Sequence, residues 1–101
     1  MKAEERIINR AVQFYGHTSQ IDMMIEEMSE LTKALLKHRR GPADEAAREA
    51  VREEMADVEI MLQQMKIIFG EPVIWKRNKL ERLANRLGLQ KEREADDECR
   101  P

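Results

Sequence analysis

The chain has 101 residues, 38% of them charged and 42% hydrophobic, and a net charge of −2. That length suits one domain, the charge balance offers no basic excess for nucleic acid, and no apolar run approaches the ~20 residues that a membrane span needs. Few aromatics and many Leu, Ala, Glu, Lys and Arg favour helices. The N-terminal MKAEERIINR lacks the apolar core of a signal peptide, and the single Cys99 has no internal disulfide partner. A cytoplasmic protein is expected.

Residues 3–16 predict a first helix, with Ile7, Ile8, Ala11, Val12 and Tyr15 on its apolar face and Gly16 ending it. His17 and Thr18 read as a short turn. Ser19, with Asp22 three residues later, reads as a capping box that opens the second helix. That helix carries Ile21, Met24, Ile25, Met28, Leu31 and Leu35 at helical spacing and ends in the cations Lys37, His38, Arg39 and Arg40, which suit a helix C-terminus. Gly41-Pro42 is a stop followed by a start, with Pro in the first turn of the next helix. The third helix runs to Phe69 with a stripe of Val51, Met55, Val58, Leu62, Met65 and Phe69. Met23, Met24, Met28, Met55, Met61 and Met65 fall in these two arms and read as core filler.

Gly70-Glu71-Pro72 repeats the break, and a basic fourth helix follows over about 72–87. Its apolar positions are Val73, Ile74, Leu80, Leu83, Ala84 and Leu87; its cations are Lys76, Arg77, Lys79, Arg82 and Arg86. Residues 1–89 are therefore expected to form one helical domain. Residues 90–101 are charged, lack a sustained apolar stripe and are expected to be a disordered tail. The expected architecture is all-α: a four-helix, bundle-like chain around a central antiparallel helical hairpin. Long arms with little core favour an oligomer, by default a symmetric dimer.

Four acids stand out inside the hairpin. Glu27 and Glu30 are three residues apart on one arm, Glu54 and Asp57 on the other, and residues at i and i+3 share a helix face. Glu30 and Glu54 are each twelve residues from Pro42; Glu27 and Asp57 are each fifteen. At ~1.5 Å rise per residue both pairs lie ~18–22 Å from the turn, and so level with each other. On the helical wheel they flank the apolar stripes, whereas Glu26, Glu53 and Glu59 face solvent. No Lys or Arg is evident at their level. Gathered carboxylates repel unless a cation sits among them. With no Cys or His in the set, a hard ion such as Mg²⁺, or Mn²⁺, fits better than zinc or copper. A di-iron site would need Glu-x-x-His pairs, and neither His17 nor His38 follows a Glu at that spacing. A Mg²⁺ cluster beside a basic helix points to a phosphate substrate, with Lys79 and Arg82 on its outer phosphates.

These residues resemble the MazG-like, all-α nucleotide pyrophosphohydrolase family. The resemblance rests on Glu26-Glu27-x-x-Glu30 followed by Glu54-x-x-Asp57, with Tyr15-Gly16 and Gln20 before the motif, Leu31 after it and Asn78-Lys79-x-x-Arg82 on the last helix. It spans roughly residues 7–88. It implies Mg²⁺-dependent hydrolysis of nucleoside triphosphates between the α and β phosphates, giving a monophosphate and pyrophosphate. It also implies metal ligation by Glu27, Glu30, Glu54 and Asp57, with Glu26 as a further catalytic acid. Lys79 and Arg82 would contact phosphate, with Asn78 beside them in the motif, and Gln20 would lie near the base. The implied assembly is a homodimer, or a tetramer built from dimers. Two alternatives stand beside this reading. One is an enzyme like phosphoribosyl-ATP pyrophosphohydrolase, from which Val58-Glu59-Ile60 after Asp57 departs. The other is a helical module that binds without cleaving.

Overall fold

A computed structural model describes residues 2–89. Over that span the chain is all-helical: α1 (Ala3–Tyr15), α2 (His17–Arg40), α3 (Glu45–Phe69) and α4 (Val73–Leu87), with no strand among the described residues. The expected 90–101 tail and Cys99 lie outside them. The described residues fall into two compact units that divide after Gly70.

In the first unit the helix breaks come where the sequence places glycines. Gly16 at φ 88° and Gly41 at φ 76° hold a backbone conformation that side chains resist. Their N–H groups close the preceding helices onto Val12 and Lys37. Two helix starts differ from expectation. α2 begins at His17 directly after Gly16 and has no side-chain cap, so His17 and Thr18 are helical and Ser19 caps nothing. One glycine at high φ reorients the chain within a single residue and leaves no room for a turn. α3 begins at Glu45 rather than at Pro42. Its cap is Asp44, whose carboxylate accepts the Ala47 N–H at 2.9 Å. Such caps contribute ~1 kcal/mol.

α2 and α3 pack along much of their length, and α1 lies against both. The seam between the two long helices differs from the predicted stripes. On α2 the shielded residues include Gln20, Met24, Glu27, Leu31, Ala34 and His38; on α3 they include Ala47, Val51, Glu54, Val58, Met61 and Met65. Both sets step alternately by four and three. This is the seven-residue repeat by which one helix keeps a constant face toward another.

The predicted stripes share Met24, Leu31, Val51, Val58 and Met65 with this seam, but extend past it onto an open face. Ile25, Met28, Leu35, Met55, Leu62 and Phe69 are exposed, from 44% for Leu62 to 70% for Phe69. Of the methionines read as core, Met24 and Met61 are buried and Met65 half-buried, while Met23, Met28 and Met55 are exposed.

The apolar core is small: Ile8, Val12, Met24 and Met61. Burial of side chains this size contributes ~1.5–3 kcal/mol each. Polar ties supplement it. Gln63 Nε2 donates to Glu4 Oε2 at 2.9 Å, joining α3 to α1. Gln20 Nε2 donates to Gln64 Oε1 at 2.7 Å between α2 and α3, with both side chains buried.

The second unit is built on α4. Gly88, in the left-handed region, ends it: Gly88 N–H donates to Asn85 O and Leu89 N–H to Ala84 O. These paired bonds satisfy carbonyls that the helix would otherwise leave open. No residue of α4 is buried, and Ala84 alone is half-buried. No helix of the described residues is long and apolar enough to cross a membrane.

Candidate metal centre

The seam explains how acids come to be enclosed. Glu27 occupies the position between Met24 and Leu31 where the repeat calls for an apolar residue, and Glu54 the one between Val51 and Val58. Both are half-buried by the packing that encloses their neighbours, so they sit within the seam rather than beside it. Asp57 lies one turn beyond Glu54 and stays exposed. One carboxylate oxygen from each of Glu27, Glu54 and Asp57 lies within 4.8 Å of the others.

The charges gathered here oppose ionisation of Glu27 and Glu54. Burial pushes the Glu27 carboxyl above its ordinary value; the Asp57 charge, a hydrogen bond with Asp57, and the charges of Glu54 and Glu26 push the same way. Burial also raises Glu54, followed by the charges of Asp57, Glu30 and Glu53. Glu54 Oε2 is shielded from solvent and has no hydrogen-bond partner. A buried acceptor left open costs ~1–3 kcal/mol. Among the described residues, none of the ion pairs involves Glu27, Glu54 or Asp57.

Glu30 stands apart from the three. Its Oε1 is 3.3 Å from Lys33 Nζ, on the same helix. The expectation of no cation at this level is therefore corrected: Lys33, three residues on from Glu30, supplies one. The pair is exposed, and Glu30 still acts on Glu54 through its charge. Glu26 is exposed on α2, with its charge acting on Glu27, and Glu53 and Glu59 are exposed on α3.

Gln20 is buried against Gln64, two turns along the seam from Glu27, with its amide committed to that bond. Gln64 was not among the candidate residues. The count that levels the acids would have found it, since Gln20 and Gln64 are each twenty-two residues from Pro42. Asn78, Lys79 and Arg82 lie exposed on α4, in the second unit.

The donor set consists of hard carboxylate oxygens, one of them desolvated and open. That composition fits a hard divalent cation such as Mg²⁺ or Mn²⁺, which shares carboxylates with water and phosphate oxygens. It does not fit a soft metal that selects thiolates or a site built on imidazoles. Comparison with known proteins adds no family: no family profile, no curated protein and no solved structure matches the chain.

Proposed function

We propose that the protein is a Mg²⁺-dependent nucleoside triphosphate pyrophosphohydrolase of the MazG-like kind, converting (d)NTP to (d)NMP and pyrophosphate. Its site sits on an antiparallel hairpin formed by α2 and α3. One observation carries the reading: Glu27, Glu54 and Asp57 converge within 4.8 Å, and Glu54, one of the three, has a buried, unpartnered Oε2. An acid placed in an apolar seam without a protein partner is costly, and a divalent ion removes that cost.

Glu27, Glu54 and Asp57 would hold the ion, with Glu30 as a fourth donor once released from Lys33. When bound, the ion neutralises phosphate charge and lowers the pKa of a coordinated water. Glu26 is exposed next to Glu27 in sequence and is suited to orient that water or accept its proton. Lys79 and Arg82 on α4 would hold outer phosphates. The exposed apolar residues of α2 and α3, Ile25, Met28, Leu35, Met55 and Leu62, support assembly as a homodimer or a dimer of dimers.

The test is a panel of NTPs and dNTPs with purified protein and Mg²⁺, analysed for products. Monophosphate plus pyrophosphate supports the reading. Orthophosphate release rejects α–β cleavage, and no turnover at all, with Mg²⁺ still bound, leaves a binding module.

A further inference from the structure

α4 has two unlike sides. At ~100° per residue, Val73, Leu80, Ala84 and Leu87 fall on one stripe, edged by Lys76 and Arg77, while Trp75, Lys79, Arg82 and Arg86 fall on the opposite one, spaced by four, three and four residues. Trp75 is 71% exposed, and the three cations are exposed as well. Among the described residues, none of the ion pairs engages Lys79, Arg82 or Arg86, and the cation–π contact found is Arg10 over Phe14, not one on Trp75. Trp75 and all three cations line one open hollow along the helix, with Leu80 and Leu83 at its apolar edge.

An exposed ring aligned with three exposed cations offers a stacking face and a row of anion contacts to one ligand. At ~1.5 Å per residue, Lys79 lies ~6 Å along the axis from Trp75, Arg82 ~10 Å and Arg86 ~16 Å. A flat π-system followed by a chain of anions matches that order. We infer that this stripe binds a nucleotide lengthwise, with Trp75 stacked on the base and Lys79, Arg82 and Arg86 paired with the phosphates. This deepens the reading above: it assigns Trp75 as the base platform and Arg86 as a third phosphate contact. Stacking on an aromatic face tolerates any base, so purine and pyrimidine nucleotides bind alike. A lipid surface fits less well, because a membrane-lying helix keeps Trp on its apolar side and its cations on the other. Here Trp75 stands on the side of Lys79, Arg82 and Arg86, away from Val73, Ala84 and Leu87.

Trp75 is the sole tryptophan, so its emission reports directly. The full chain is titrated in EDTA with ATP, dCTP and inorganic tripolyphosphate. Both nucleotides quench Trp75 saturably, and tripolyphosphate displaces them. Replacing Lys79, Arg82 and Arg86 together by Gln weakens nucleotide binding at least about tenfold, on the scale of lost charge-assisted bonds. Equilibrium dialysis gives the same ranking, with Trp75→Leu weakened and Trp75→Phe partly restored. Unchanged emission with nucleotide, quenching that survives the triple substitution, or a response to phosphatidylserine vesicles in place of nucleotides overturns the inference. Glu54→Gln separates the two readings: it keeps Trp75 quenching while turnover is lost. Turnover in the native chain without quenching sinks this inference alone; quenching without turnover sinks hydrolysis alone.

Discussion

Gln20 donates its side-chain amide to Gln64 at 2.7 Å, two turns along the α2–α3 seam from Glu27 and Asp57. Both glutamines are at least nine-tenths buried, so the bond is shielded and its partners have no water to fall back on. Gln64 Nε2 also contacts Met61 Sδ at 3.5 Å. The pair ties one α2 position to one α3 position in an otherwise small core, and the acids inherit that alignment.

Replacing one glutamine strands the other. Gln64→Leu is expected to lower stability by ~1–3 kcal/mol, the cost of an unpaired buried amide. The double variant Gln20→Leu/Gln64→Leu recovers much of that loss, because no polar group remains open. Urea unfolding of the three variants measures it; equal losses for single and double variants would remove the pairing argument. Mg²⁺ affinity of the double variant then reports whether alignment of the acids depends on this bond.

The acid cluster ties stability to pH with a definite sign. Glu27 and Glu54 have folded-state pKa values above the ordinary 4.5. Carboxyls raised on folding contribute stability that is fully present below ~4.5 and is lost as pH rises through the folded values. Without divalent ions, the melting temperature should therefore fall as pH climbs from about 4.5 toward neutrality. Mg²⁺ reverses the trend, since it binds the ionised form and releases protons. Thermal melts from pH 4.5 to 7.5 in EDTA and in Mg²⁺ give both curves; parallel curves would mean that no ion binds there.

Glu54→Gln separates charge from shape. The neutral amide relieves repulsion, so the metal-free protein should melt higher than the native chain. It should also lose the extra stabilisation by Mg²⁺. Turnover should fall by about two orders of magnitude, the scale of losing one electrostatic contact to a reacting group. Glu30→Gln should cost less in Mg²⁺ affinity, because Glu30 lies outside the 4.8 Å group and is paired with Lys33.

The uncovered apolar residues give a test of assembly. Met28 is 50% exposed and Leu62 44%, and neither lies on the seam. Met28→Lys or Leu62→Lys should leave the helical signal of the subunit in place and shift sedimentation toward monomer. A monomeric native chain would contradict this expectation. So would an oligomer indifferent to both changes.

Four helices and their main breaks were legible in the sequence, because a glycine at positive φ and a long amphipathic run are local properties. Counting outward from Pro42 also levelled Glu27 with Asp57, since helical rise is constant. Two local details were missed. The Asp44 cap hid behind a conspicuous Pro42, and Ser19 imitated a cap that Gly16 made unnecessary. The larger miss was one of width. The predicted stripes held the seam residues Met24, Leu31, Val51 and Val58, but also Ile25, Met28, Leu35, Met55 and Leu62, on a face that the subunit leaves open.

Composition cannot say which of two apolar faces a helix turns inward. Only the tertiary structure did so, selecting the seven-residue seam of Met24, Glu27 and Leu31 against Val51, Glu54 and Val58. The choice is a property of the pair of helices: side chains must interlock along the whole contact, with Gln20 and Gln64 bonded at its far end. The sequence by itself determined that acids would stand at one height. Packing determined which three of them meet, and that one oxygen of Glu54 is shut away from water.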